Sequence, residues 1–151
     1  MRVGIYGGTF SPVHNGHVAA AKAFMEQMWL DILYVIPTGV TPHKDMKGDA
    51  TAKDRLEMCR LAFAAVPEVE VSDIEIQRPG RSYTVDTIRQ LKQIYPQDKL
   101  FLIITHLKCL TFNHEIYQMK QLLEMLILPS ITAVLLHSMK SLPNMVQELV
   151  K

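Results

Sequence analysis

Short apolar runs of strand length alternate along the chain with stretches whose apolar positions recur at helical spacing. Val3-Gly4-Ile5-Tyr6 is the first run, closed by Gly7-Gly8, and Ile32 to Ile36 is the second, ended by Pro37. Val69 to Ile76 is the third; its alternation changes phase at Ser72-Asp73, which predicts a bulge or bend. Leu100 to Ile104 is apolar at every position, as a strand buried on both faces requires, and Ile131 to Leu136 is a fifth run. Between them, Gly16 to Met28 is rich in Ala, Met, Lys and Glu and predicts a helix, with Trp29 packing into the core at its end. Thr51 reads as the cap of a helix that puts Leu56, Cys59, Ala62 and Phe63 on one face. Thr84 is expected to cap a helix carrying Val85, Ile88, Leu91 and Tyr95. Asn113 is expected to cap another carrying Ile116, Met119, Leu123 and Leu126. The polar stretch Val40 to Ala52 reads as a long loop. This alternation implies an α/β fold with a mostly parallel, five-stranded sheet. Such sheets bind ligands outside the carboxyl ends of their strands, near a topological switch point.

Composition narrows the function. The 151 residues suit one domain with a single substantial core, and 48% hydrophobic with 21% charged residues is ordinary for a globular chain. Sixteen Lys+Arg against fifteen Asp+Glu leave a formal charge of +1. That balance argues against a nucleic-acid-coating protein but leaves room for a small anionic ligand held by local groups. Cys59 and Cys109 show no CxxC spacing, which points to free, buried thiols in a reducing compartment. No signal-like start and no bilayer-length apolar run is visible, so a cytoplasmic protein without a membrane partner is expected. Oligomeric state is left open, with a homodimer one option.

The segment Gly7-Gly8-Thr9-Phe10-Ser11-Pro12-Val13-His14-Asn15-Gly16-His17 carries the chemistry. Glycines at a strand end let a phosphate approach backbone amides, and the following helix start adds unpaired donors and partial positive charge. The spacing of His14 and His17 puts both imidazoles on one side, and Gly16 is expected to leave open space beside them. Imidazoles donate hydrogen bonds to phosphate oxygens, more strongly when protonated. Two histidines near a helix start can also be plain surface residues. A zinc site would need further ligands that this segment lacks, so no protein metal ligand is assigned. The segment is neither GxGxxG nor GxxxxGK[ST].

The complete string resembles the signature of the adenylyl- and cytidylyltransferase superfamily: a strand, then Gly-Gly-Thr-Phe, then His-x-Gly-His opening a helix, with Ser11 where an Asp is usual. Pro37 with Thr41-Pro42-His43-Lys44 resembles the Pro-His-Lys loop of the bacterial nicotinate-nucleotide adenylyltransferase family. Arg55-Leu56-Glu57-Met58 resembles that family's Arg-x-x-Met helix start, read mainly as packing with Arg55 closing onto the phosphate loop. Ser82-Tyr83-Thr84-Val85-Asp86-Thr87 resembles its Ser-Tyr-Thr-x-Asp-Thr stretch. Without the family, Tyr83 could be a partly buried aromatic and Thr84 a plain helix cap. Pantetheine-phosphate adenylyltransferase is the nearest competing family, but it usually has Thr at the position of His14 and lacks the Ser-Tyr-Thr stretch.

The resemblance covers about residues 1–104 and implies a Rossmann-like three-layer α/β/α domain. It implies adenylyl transfer from ATP to nicotinate mononucleotide, giving deamido-NAD and pyrophosphate, with Mg brought in on the ATP phosphates. On that reading Gly7, Gly8, Thr9, Phe10, His14, Gly16 and His17 hold ATP. His14, His17 and Lys44 stabilise charge as pyrophosphate leaves, and Lys44, Tyr83, Thr84 and Thr87 shape the nicotinate side. Past Ile104 the pattern departs: Thr105-His106-Leu107 stands where the family reads Gly-x-Asp, no Ser-Ser-Thr-x-x-Arg follows, and no Arg occurs after Arg89. Lys140 and Ser141 are candidate partial substitutes. Residues 1–151 are therefore expected to form one nucleotidyltransferase domain, shortened or divergent after residue 104. The alternatives are a nucleotide-binding but catalytically impaired paralogue, pantetheine-phosphate adenylyltransferase or a CTP-using relative.

Overall fold

The computed structural model describes residues 1–40, 50–105 and 131–136, of which 104–105 and 131–136 are described by backbone alone. The element order is β1 (Arg2–Gly8), α1 (Asn15–Gln27), β2 (Ile32–Pro37), α2 (Ala52–Phe63), β3 (Val69–Val71), α3 (Ile74–Gln77), α4 (Thr84–Ile94), β4 (Lys99–Thr105) and β5 (Ile131–Leu136). All strand pairings are parallel and the sheet runs β3-β2-β1-β4-β5. The expected helix from Asn113, the Pro42-His43-Lys44 loop, Cys109, Lys140 and Ser141 lie outside the described residues. Among the described residues no helix is long and apolar enough to cross a membrane.

The continuous apolar runs are explained by burial on both sides. Val3, Ile5, Ile36, Leu100 and Leu102 pack with Val85, Ile88 and Leu91 of α4. Tyr6, Leu33, Val35, Phe101 and Ile103 pack against Ala21 and Phe24 of α1 and Cys59 and Phe63 of α2. Residues i and i+2 of a strand share a face, so β1, β2 and β4 each feed two cores at once. The result is the expected three-layer arrangement, with α1 and α2 on one side of the sheet and α4 on the other.

Three local readings change. The third run is not a bulged strand. β3 stops at Val71, Ser72 N–H donates to the Val35 carbonyl at 2.9 Å, and the Asp73 carbonyl accepts from Ile76 and Gln77 as α3 begins. The phase change marks the switch from strand to helix period on a strand that, among the described residues, pairs only with β2. Thr84 is the first helical residue of α4; Tyr83 is its cap, with no side-chain capping bond. Trp29 is 79% exposed rather than in the core, while Leu30 is buried. Trp29 sits at φ 51°, Trp29 N–H bonds the Glu26 carbonyl and Leu30 N–H bonds the Met25 carbonyl. That is a Schellman ending, which turns the residue after the left-handed one back onto the helix. Thr51, by contrast, caps α2 as expected, accepting from Asp54 N–H at 3.1 Å.

The connections from β1 lead toward β2 and β3 on one side, and the chain then returns to β4 on the other. The reversal lies between β1 and β4, so the loop leaving β1 opens at the switch point where ligands of such sheets collect.

Candidate functional site

Gly7 and Gly8 end β1, in register with Ile36 and Pro37. The Gly8 carbonyl accepts from Thr38 N–H at 2.8 Å and from Thr38 Oγ1 at 3.0 Å, which anchors the start of the loop to the exit of β2. Phe10 follows at φ 49°, a left-handed conformation for a bulky residue, and its ring is 3% exposed. It meets Tyr6 edge-on at 5.5 Å and His17 edge-on at 4.9 Å. The side chain of Phe10 is therefore the buried floor beneath His17, and only its backbone is free to face a ligand. The Tyr6 hydroxyl beside it is pushed up to about 12 by burial.

The two histidines cap one another across the start of α1. Gly16 N–H donates to His14 Nδ1 at 3.1 Å, and His14 N–H donates to His17 Nδ1 at 3.1 Å. The ring centroids are 3.8 Å apart. An Nδ1 that accepts from a backbone amide carries no proton, so each neutral ring has its hydrogen on Nε2, the atom that remains free to donate. Burial, and then His14, lower the His17 pKa below the usual histidine value. The pair thus sets two Nε2–H donors beside a helix N-terminus. A Cβ on Gly16 would lie 2.9 Å from Cε1 and Nδ1 of His14. The room that this glycine provides is filled by the His14 ring itself, rather than standing open beside the pair.

Arg55 projects from α2 into the same region. It is 1% exposed; Nη1 donates to the Thr9 carbonyl at 2.7 Å and Nη2 to the Gly39 carbonyl at 3.1 Å. Thr9 therefore contributes a carbonyl to the scaffold of the loop. The expected closure of Arg55 onto the loop is present. Its second bond, to the exit of β2, has no sequence signal beyond an arginine one residue before a core-facing Leu56.

On the other side of that exit, Ser82 N–H donates to the Val40 carbonyl at 2.9 Å and Gly39 N–H donates to Ser82 Oγ at 3.2 Å. Val40 and Arg81 form a parallel bridge. A Cβ on Gly39 would fall 2.6 Å from the Glu75 carbonyl oxygen, so only glycine lets these backbones approach. This contact brings half-buried Tyr83 and Thr84, at the N-terminus of α4, to the same edge of the sheet as the histidine loop. Thr87 does not join them there. It is 2% exposed and its hydroxyl donates to Glu75 Oε1 at 2.7 Å while accepting from Arg78 Nη2 at 2.9 Å. Its hydroxyl braces α3 against α4. Sequence reasoning missed Glu75 and Arg78; a Glu flanked by Ile74 and Ile76 was the available sign. Lys44 lies outside the described residues. Among the described residues, no three His, Cys, Asp or Glu side chains gather to hold a metal ion.

The profile of the cytidylyltransferase-like family matches residues 5–143. The chain is 48% identical over 104 residues to the "Probable nicotinate-nucleotide adenylyltransferase" of Citrifermentans bemidjiense, which covers 69% of this chain and 48% of that protein. It is 42% identical over 103 residues to the nicotinate-nucleotide adenylyltransferase of Bacillus subtilis, which covers 68% of this chain and 54% of that one. The chain spans about half the length of the curated relatives it matches. Plasmodium falciparum nicotinic acid mononucleotide adenylyltransferase complexed with APC is similar in structure, with a TM-score of 0.67 at 15% identity over 91% of this chain and 75% of that chain. The same enzyme complexed with NaAD gives 0.64 at 15% identity, over 91% of this chain and 76% of that chain. At such identity the likeness shows a shared fold.

Proposed function

We propose that this chain, which belongs to the cytidylyltransferase-like family, transfers the adenylyl group of ATP to nicotinate mononucleotide, a step of NAD biosynthesis. A phosphate oxygen of the mononucleotide attacks the α-phosphorus in line. The bond from the α-phosphorus to the bridging oxygen breaks, pyrophosphate leaves with that electron pair, and deamido-NAD forms. No protein nucleophile takes part, so the protein's task is alignment and charge stabilisation. Mg2+ enters on the ATP phosphates, as suits an ion that keeps most of its waters and takes few protein ligands.

The observation that carries this reading is the mutual capping of His14 and His17 at the switch point. It leaves two Nε2–H donors directed away from the helix they cap. A fixed donor pair is suited to the negative charge that grows on the leaving phosphates. Gly7, Gly8, Thr9 and Gly16 form the ATP loop, with Phe10 supporting it from below. Tyr83 and Thr84 are assigned to the mononucleotide, and Lys44 to a phosphate as a point charge. Both substrates are intracellular small molecules, so the cytoplasm is the compartment proposed.

Pyrophosphate release with Mg·ATP and nicotinate mononucleotide, nicotinamide mononucleotide or phosphopantetheine in turn tests it. Turnover should be fastest with the nicotinate form; turnover with phosphopantetheine alone overturns the acceptor, and turnover with CTP in place of ATP overturns the donor. A second reading, nucleotide binding without turnover, is favoured by the sequence Thr105-His106-Leu107, which begins at the last residue of β4, where the resembled family has Gly-x-Asp. Nucleotide binding with no pyrophosphate from any acceptor would select it.

A further inference from the structure

We infer that Arg55 is a positioning residue that holds the two halves of the site at a set separation, joining the histidine loop to the exit of β2 and, through it, to the turn that opens α4. The geometry stands on its own; only the kinetic consequence rests on the adenylyl transfer proposed above.

The two carbonyls that Arg55 binds belong to loops leaving different strands: Thr9 after β1 and Gly39 after β2. A planar guanidinium presents its donors in a fixed fork, so binding both carbonyls fixes the distance between them. Gly39 passes the constraint on. Its N–H is bound by Ser82 Oγ, the Val40 carbonyl by Ser82 N–H, and Ser82 immediately precedes Tyr83, the cap of α4. Thr9, Arg55, Gly39, Ser82 and Tyr83 thus form one continuous path from the loop assigned to ATP to the turn assigned to the mononucleotide. Arg55 is 1% exposed on the buried side of α2. An apolar residue there would pack without desolvating a charge, so packing alone does not call for arginine. In-line transfer does call for it, because the attacking oxygen and the α-phosphorus are held by different loops and must be aligned to within a fraction of an ångström.

Arg55→Lys keeps the charge and removes the fork; Ser82→Ala cuts a later link of the same path. Amide hydrogen exchange on the substrate-free protein is the first readout. In Arg55→Lys, exchange in residues 9–17, 38–40 and 82–84 should rise about tenfold or more, with β1, β2 and β4 protected as before. In Ser82→Ala, 38–40 and 82–84 should loosen while 9–17 does not. Kinetics with Mg·ATP and nicotinate mononucleotide is the second. Arg55→Lys should lower kcat on the order of 10²-fold with both KM values changed by no more than about threefold. Unchanged exchange in the loops, or a uniform rise across the whole sheet, overturns the inference, as does loosened exchange with kcat intact. If the wild-type protein gives no pyrophosphate, the function proposed above fails, and the exchange pattern alone decides Arg55.

Discussion

The His17 ring is held by one nitrogen and open at the other, as the function proposed above requires. Its Nδ1 accepts the His14 N–H, and its Nε2 stays available to a ligand. His17→Ala should therefore lower turnover by about 10²-fold or more. It should also lose about 1 kcal/mol of stability, since a helix-start amide loses its acceptor; kinetics beside urea unfolding separates the two. A variant with full activity removes the histidine from the mechanism. Protonation acts on the same atom. Burial and His14 hold the His17 pKa below the usual value, so the unfolded chain binds that proton more readily than the folded one. Its contribution to stability is fully present above about pH 6.5 and is lost as pH falls through the lower, folded value. Urea midpoints should decline on that acid side, and His17→Gln should flatten the decline; an unchanged profile sinks the assignment. The residue types of this loop were legible in the chain because the GGTF and HxGH strings are local. The tautomer was not, since it depends on which nitrogen meets which amide. Cys59 shows the same division: its burial was expected, and the structure adds that desolvation pushes the thiol up to about 11, against an opposing effect of Arg55.

At the scale of elements, amphipathic patterns located α1, α2 and α4 to within a residue or two, while ends and connections escaped. Trp29 shows why. An apolar residue after a helix reads as core, but the Schellman turn needs a left-handed residue at that place, and the next one, Leu30, goes inside. Trp29→Gly should therefore stabilise the protein by about 1 kcal/mol, measured by thermal or urea unfolding; a loss would mean that the exposed ring packs usefully after all. The link between α3 and α4 was equally hidden, because a hydroxyl and a carboxylate twelve positions apart carry no periodic signal. Thr87→Val removes the donor to buried Glu75 and should cost about 1–3 kcal/mol, with Thr87→Ser recovering most of it. Equal stability of the Val and Ser variants would show that Glu75 finds another partner.

At the scale of the whole molecule, β1, β2 and β4 of the parallel sheet bury an apolar layer on each face, and the fold leaves the histidine loop, the exit of β2 and the N-terminus of α4 at one edge. A ligand bound there stabilises the folded state by mass action. Mg·ATP at a hundred times its Kd should raise stability by about 2.7 kcal/mol, or roughly 5–10 °C in Tm, and an unchanged Tm would sink both readings of the function. The chain by itself determined four of the five strand runs, the class of fold and the residue types of the first loop. Each of these is written in neighbouring residues, where the period of apolar positions reports the local backbone and a contiguous motif reports its own turn. Only the tertiary structure decided that β1 lies between β2 and β4, that Leu30 rather than Trp29 enters the core, that Thr87 faces inward, and that Arg55 spans two loops. Those outcomes depend on contacts between distant segments, and a hydrophobic pattern says which face is buried without saying what it is buried against.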